Sequence, residues 1–163
     1  MKRLSHYDDT GRARMVDVSA KPDTRRTATA QAFVKIRPSV LKQLPGNPKG
    51  DPLEVARFAG ISAAKRTSEL IPMCHPLLLT HVDVAAKIQP KGVEITAKVA
   101  TTGPTGVEME ALTAAAVAAL TVYDMTKALD KRIEIRDVYL VEKTGGKSGD
   151  FRRNSFKRQE RPK

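Results

Sequence analysis

Between residues 82 and 99 the chain alternates apolar and polar side chains on both sides of a Pro90-Lys91-Gly92 turn, the signature of an antiparallel hairpin. Val82, Val84, Ala86 and Ile88 share one face, and Val93, Ile95, Ala97 and Val99 repeat the pattern on the return. A sheet that is apolar on one face must bury it against something, and the rest of the chain supplies more strand and two helices. Ala28, Ala30, Ala32, Val34 and Ile36 alternate with Thr27, Thr29, Gln31 and Lys35, predicting a half-buried strand over Thr27 to Ile36. Ile133 to Val141 reads as a final strand and Met15 to Val18 as a short early one, while a short helix is expected over Ser39 to Leu44.

Asp51 followed by Pro52 is a helix start, because the carboxylate accepts from free N–H groups and proline at the first helical position loses no bond. That helix should run to about Leu70 and stop before Pro72. Thr105 with Glu108 three residues later matches a capping box, opening a long, alanine-rich helix expected to reach about Leu129. The pattern predicts an α+β fold, an antiparallel sheet with helices packed on one face, in a single domain over residues 1–151. With hydrophobic residues at 40%, aromatics at 4% and no tryptophan, its core must be aliphatic and rich in alanine.

The formal net charge of +11 calls for an anionic partner. Much of the excess lies in residues 152–163, where Arg152, Arg153, Lys157, Arg158, Arg161 and Lys163 face one acid, Glu160; a basic, disordered tail is expected there. A basic nucleic-acid-binding module is the alternative reading, although no strand carries aromatics for stacking bases, and no specific nucleic-acid partner is expected. No apolar stretch approaches a membrane span, and the first ten residues carry no hydrophobic signal segment, so a cytoplasmic protein without a membrane partner is expected. Cys74, the one cysteine, precludes an intrachain disulfide.

Four segments place reactive groups where structure alone does not ask for them. Cys74 and His75 sit between Pro72 and Pro76, a fixed loop that suits a binding site; one cysteine and three histidines make a poor metal set. On the long helix, Glu110, Asp124 and Lys127 share one flank at 100° per residue, and a helix-surface ion pair accounts equally well for Asp124 and Lys127. Glu110 and Asp124, fourteen residues apart, are separated by roughly 21 Å along the axis. A small-molecule site using both must draw them from different chains. Lys143 to Gly149 contains Gly146-Lys147-Ser148, but position 141 is Val and no helix follows, so it is not a phosphate-binding P-loop. A glycine loop with two lysines still suits phosphates. Lys49, before the helix start at Asp51, is the fourth.

Together these segments resemble the MoaC family of molybdenum cofactor biosynthesis. The resemblance runs from about Leu4 to Phe151. It is carried by Met15-Val16-Asp17-Val18, Lys49-Gly50-Asp51, Ala59-Gly60-Ile61, Ala63-Ala64-Lys65, Cys74-His75-Pro76-Leu77, Gly106 to Thr113, Tyr123-Asp124-Met125 and Lys143 to Gly149. Met73, Thr126 and Pro52 are mild departures. The resemblance implies a ferredoxin-like fold and a homohexamer, a trimer of dimers with sites between subunits. It implies conversion of 3′,8-cyclo-7,8-dihydroguanosine 5′-triphosphate to cyclic pyranopterin monophosphate and diphosphate. It assigns catalysis to Asp124, Lys127 and Lys49, and substrate binding to Met73, Cys74, His75, Met109 and Glu110. Around the phosphates the chemistry calls for cations, with His75, Lys65, Lys143, Lys147 and Arg26 expected there, and Glu108 is expected among the substrate-binding residues. No cofactor is expected beyond Mg²⁺ carried by the triphosphate, for which no protein site is evident.

Overall fold

The computed structural model describes residues 6–8 and 10–154. Strands β1 (Thr24–Lys35), β2 (Leu79–Gln89), β3 (Gly92–Gly103), β4 (Glu134–Thr144) and β5 (Phe151–Arg152) form one antiparallel sheet in the order β2-β3-β1-β4-β5. Helices α1 (Pro38–Leu41), α2 (Pro52–Lys65), α3 (Thr67–Leu70) and α4 (Glu108–Thr126) complete it. With α2 between β1 and β2, and α4 between β3 and β4, the first four strands make the split βαβ arrangement of ferredoxin-like folds. The expected α+β class is therefore the one observed.

The hairpin pairs in the register its alternation demands, Val84 opposite Ala97 and Ala86 opposite Ile95, with β1 joining the other edge of β3. Ala28, Ala30, Ala32 and Val34 of β1 are buried with Val93, Ile95, Ala97 and Val99 of β3 against Ala111, Ala114, Ala115, Ala118, Ala119 and Val122 of α4. Alanine at so many contacts lets backbones approach closely. At Gly60 of α2 a Cβ would lie 2.9 Å from the Ala114 carbonyl and 3.2 Å from the Val84 methyls. Any side chain there would push α2 off α4, so Gly60 sets the helix spacing.

Asp51 caps α2 as its sequence implies, accepting from Leu53 N at 2.8 Å and Glu54 N at 3.4 Å. Other local expectations are corrected. The helix expected to Leu70 breaks at Arg66, whose φ of −114° and ψ of 16° leave the helical range before α3 begins. Residues 15–18 form no strand, because no sheet edge pairs with them. The short helix begins at Pro38 and a 3₁₀ turn takes over at Leu44–Gly46. Helix α4 ends at Thr126, and its N-cap is Val107 without a side-chain cap, so the Thr105–Glu108 capping box does not form. The Glu108 carboxylate is engaged elsewhere, as described below.

The expected tail is redrawn at its start. Arg152 pairs with Glu142 in the sheet, and Arg153 donates its N–H to Val141 O at 2.8 Å while its guanidinium lies 5.0 Å from the Tyr139 ring centroid. Residues 155–163 of that tail lie outside the described residues. Among the described residues, no helix is long and apolar enough to cross a membrane.

Candidate active site

Most of the side chains singled out by sequence form two groups at opposite ends of α4. At its C-terminal end, Lys127 Nζ donates to Asp124 Oδ1 at 2.6 Å, three residues along the same helix. Lys49 Nζ lies 3.9 Å from Asp124 Oδ2 and donates to the Asp124 carbonyl at 3.4 Å. The Lys49 loop is fixed there by Asn47, whose Nδ2 donates to Met125 O at 2.8 Å and whose Oδ1 accepts from Lys49 N at 2.9 Å. The hydrogen bond and charge of Lys127, then the charge of Lys49, hold the Asp124 carboxyl below its usual range, while Asp124 raises the Lys127 ammonium. All three side chains are half-exposed, so screening makes the cluster a minor contributor to stability and leaves it open to a ligand.

At the N-terminal end of α4 two adjoining clefts meet. The larger, of about 890 Å³, is lined by Arg26, Glu108, Lys143 and Lys147, with Lys21 on its wall. Lys143 Nζ donates to Glu108 Oε1 at 2.7 Å and to Ser148 Oγ at 3.1 Å, tying the glycine loop to the start of α4. This bond replaces the capping box. Arg26 is aimed by its Nε bond to Gly103 O at 2.9 Å. Gly145 (φ +86°) packs against the Arg25 carbonyl so closely that a Cβ would overlap it. Asp150 Oδ1 accepts from Gly145 N at 3.0 Å, closing the loop on itself.

The smaller cleft, of about 440 Å³, is lined by Met73, Cys74, His75, Met109 and Glu110, and shares Lys21, Thr105, Gly106 and Glu108 with its neighbour. His75 Nε2 stands 2.8 Å from the Val16 carbonyl, which only accepts, so the bond places a proton on Nε2. Residues 15–18 thus serve as a wall for the histidine. Burial pushes the Glu110 carboxyl up to about 7, with the Glu108 charge acting in the same direction. Burial, and then the Glu110 charge, also raise the Cys74 thiol, making it a poor nucleophile at neutral pH. His6 Nδ1, buried and without a hydrogen-bond partner among the described residues, lines the same cleft.

Of the residues singled out by sequence, Arg26, Met73, Cys74, His75, Glu108, Met109, Glu110, Lys143 and Lys147 line this double cleft. Asp124, Lys127 and Lys49 assemble separately, and Lys65, exposed at the end of α2, lines neither cleft. Lys21, common to both clefts, escaped the sequence reading because no turn, cap or periodicity marks it. Among the described residues, no group of three or more His, Cys, Asp or Glu is arranged to hold a metal ion.

A ferredoxin-like α+β chain whose lysines and arginine surround a cleft of small-molecule size, beside a buried carboxyl that desolvation raises to about 7, has the make-up of a protein acting on a phosphorylated metabolite. Comparison with known proteins is more specific. The MoaC family profile matches residues 15–146. Over 155 residues the chain is 57% identical to the cyclic pyranopterin monophosphate synthase of Roseiflexus sp. (strain RS-1), covering 93% of this chain and 98% of that protein. It is 56% identical over 155 residues to the protein of that name from Parvibaculum lavamentivorans, covering 93% and 97%, and 53% identical over 161 residues to that of Geobacillus kaustophilus, covering 95% and 99%. The chain belongs to the MoaC family.

Proposed function

We propose that the chain acts as a cyclic pyranopterin monophosphate synthase in molybdenum cofactor biosynthesis, a phosphorus–oxygen lyase working in the cytoplasm. The observation that carries this reading is identity above half, over nearly the whole length, to relatives bearing that name. The double cleft supports it chemically. A triphosphate brings several negative charges, and Arg26, Lys143, Lys147 and Lys21 meet them in the larger cleft, while Met73, Cys74, His75, Met109 and Glu110 line the smaller one, for the purine-derived rings. A protonated Glu110 can donate as well as accept there.

The reaction opens a five-membered purine ring and builds a pyrazine, which requires proton transfers at nitrogen and carbon. Asp124 serves as general acid/base, with Lys127 tuning its charge and Lys49 relaying protons. In the last step a ribose-derived hydroxyl attacks the α-phosphate, its proton leaves to a base, the bond to the β-phosphate oxygen breaks and diphosphate departs. The cleft cations stabilise that departing charge.

Asp124 and Glu110, at opposite ends of a nineteen-residue helix, cannot reach one small substrate from the same chain. The site is therefore shared between chains, with the Asp124 cluster of one protomer closing the double cleft of its partner, and the MoaC resemblance makes that assembly a homohexamer. A phosphate role for Lys65 requires the same arrangement. The direct test supplies the purified chain with the cyclic triphosphate. One diphosphate released per cyclic pyranopterin monophosphate formed is expected, also after deletion of residues 154–163; loss of all function on that deletion favours the nucleic-acid reading.

A further inference from the structure

A third depression, of about 340 Å³, lies where the end of β1, the β2–β3 turn and the α4–β4 connection meet. Four cations and two carboxylates line it: Lys35, Arg37, Lys91 and Arg132 with Asp130 and Glu134. Asp130, with its side chain 6% exposed, organises the group. Its Oδ2 accepts from Arg37 Nε at 2.7 Å, and its Oδ1 accepts from Arg132 Nε and Arg132 N, each at 3.1 Å. One buried carboxylate thus anchors two guanidinium groups, one on each of its oxygens. Each commits only its Nε in these bonds, leaving terminal N–H groups to donate. Glu134 is already taken by Lys35 at 3.3 Å and by Arg136. The Lys91 side chain makes no hydrogen bond or ion pair among the described residues, although its carbonyl is pinned by Ile36 N at 3.0 Å.

Fastening the α4–β4 connection needs one arginine on Asp130. Two arginines, with an unengaged lysine across the depression, leave positive charge that the surrounding protein does not neutralise. Paired guanidinium forks match the oxygens of a tetrahedral phosphate, and the volume falls at the small end of ligand pockets. We propose that this depression is a second anion site, separate from the double cleft, that binds a small phosphate-bearing anion through Arg37, Arg132 and Lys91. The proposal stands whether or not the reaction assigned above is correct.

Titration calorimetry of the full chain with inorganic diphosphate tests it. Two binding events per chain are expected. Lys147→Ala should weaken one by about tenfold, and Lys91→Ala with Arg132→Ala the other by about a hundredfold, as loss of one and of two charge-assisted hydrogen bonds implies. Lys91→Glu alone, at an exposed side chain with no partner, should abolish the second event without altering thermal stability. A single event that responds to Lys147→Ala and ignores all changes at Lys91 and Arg132 overturns the proposal.

Discussion

Lys143, near the end of β4, donates to Glu108, the first residue of α4, at 2.7 Å, with both side chains about three-quarters buried. The bond crosses between two elements far apart in sequence and ties the start of α4 to the glycine loop. It also holds a cation and its counter-ion on the wall of the cleft assigned to the triphosphate. A phosphate bound as proposed would compete with Glu108 for that ammonium.

Lys143→Ala therefore removes a cation from the cleft and leaves the Glu108 carboxylate without its partner, turning an attraction for phosphate into a repulsion. Affinity for the substrate triphosphate should fall by more than the roughly tenfold that one charge-assisted bond explains. Lys147→Ala, with no such partner bond, should cost less. Equal losses in calorimetric titrations of the two variants would show that Glu108 carries no weight in binding.

Gly145→Ala places a methyl group against the Arg25 carbonyl in a backbone conformation that disfavours side chains. Strain of about 1–3 kcal/mol should lift the loop from β1. Weaker triphosphate binding with an unchanged far-ultraviolet spectrum is expected, and unaltered affinity would mean that loop docking is dispensable.

Glu110 gives a pH signature. Its carboxyl keeps its proton in the folded chain up to about pH 7, whereas the unfolded chain releases it near 4.5. Between those values the folded state binds more protons, so this group lowers stability as pH rises through the window. The Tm of Glu110→Gln minus that of the native chain should therefore grow from pH 5 to pH 8. A constant difference would show that Glu110 ionises normally in the fold.

Asp124→Asn keeps the size of the side chain and removes its negative charge and proton-accepting ability. Product formation should fall by about 10²- to 10⁴-fold, the range that general acid–base catalysis supplies, while the triphosphate still binds. Native turnover in this variant would exclude Asp124 from the proton transfers.

These groups differ in how legible they are in the sequence. The β2–β3 hairpin and β1 follow from local periodicity, which the fold obeys because one face of each must be buried, and α4 follows from its run of alanine and other strong helix formers. The Asp51 cap is equally local. The Thr105–Glu108 box fails because a lysine thirty-five residues away takes the glutamate, and no window around Thr105 contains that fact. Residues 15–18 alternate like a strand but find no edge; their carbonyl at Val16 goes to His75 instead. Lys21 becomes conspicuous only when two distant loops are folded around it. Strand β5 is too short for any periodicity to mark.

The decisive measurement mixes two inactive variants, Asp124→Asn and His75→Ala, after dissociating and reassembling them together. If each site takes its aspartate from one chain and its histidine from another, random mixing rebuilds about one quarter of the sites intact, and a corresponding fraction of native turnover returns. Activity in the mixture no higher than the average of the two variants would contradict a site shared between chains.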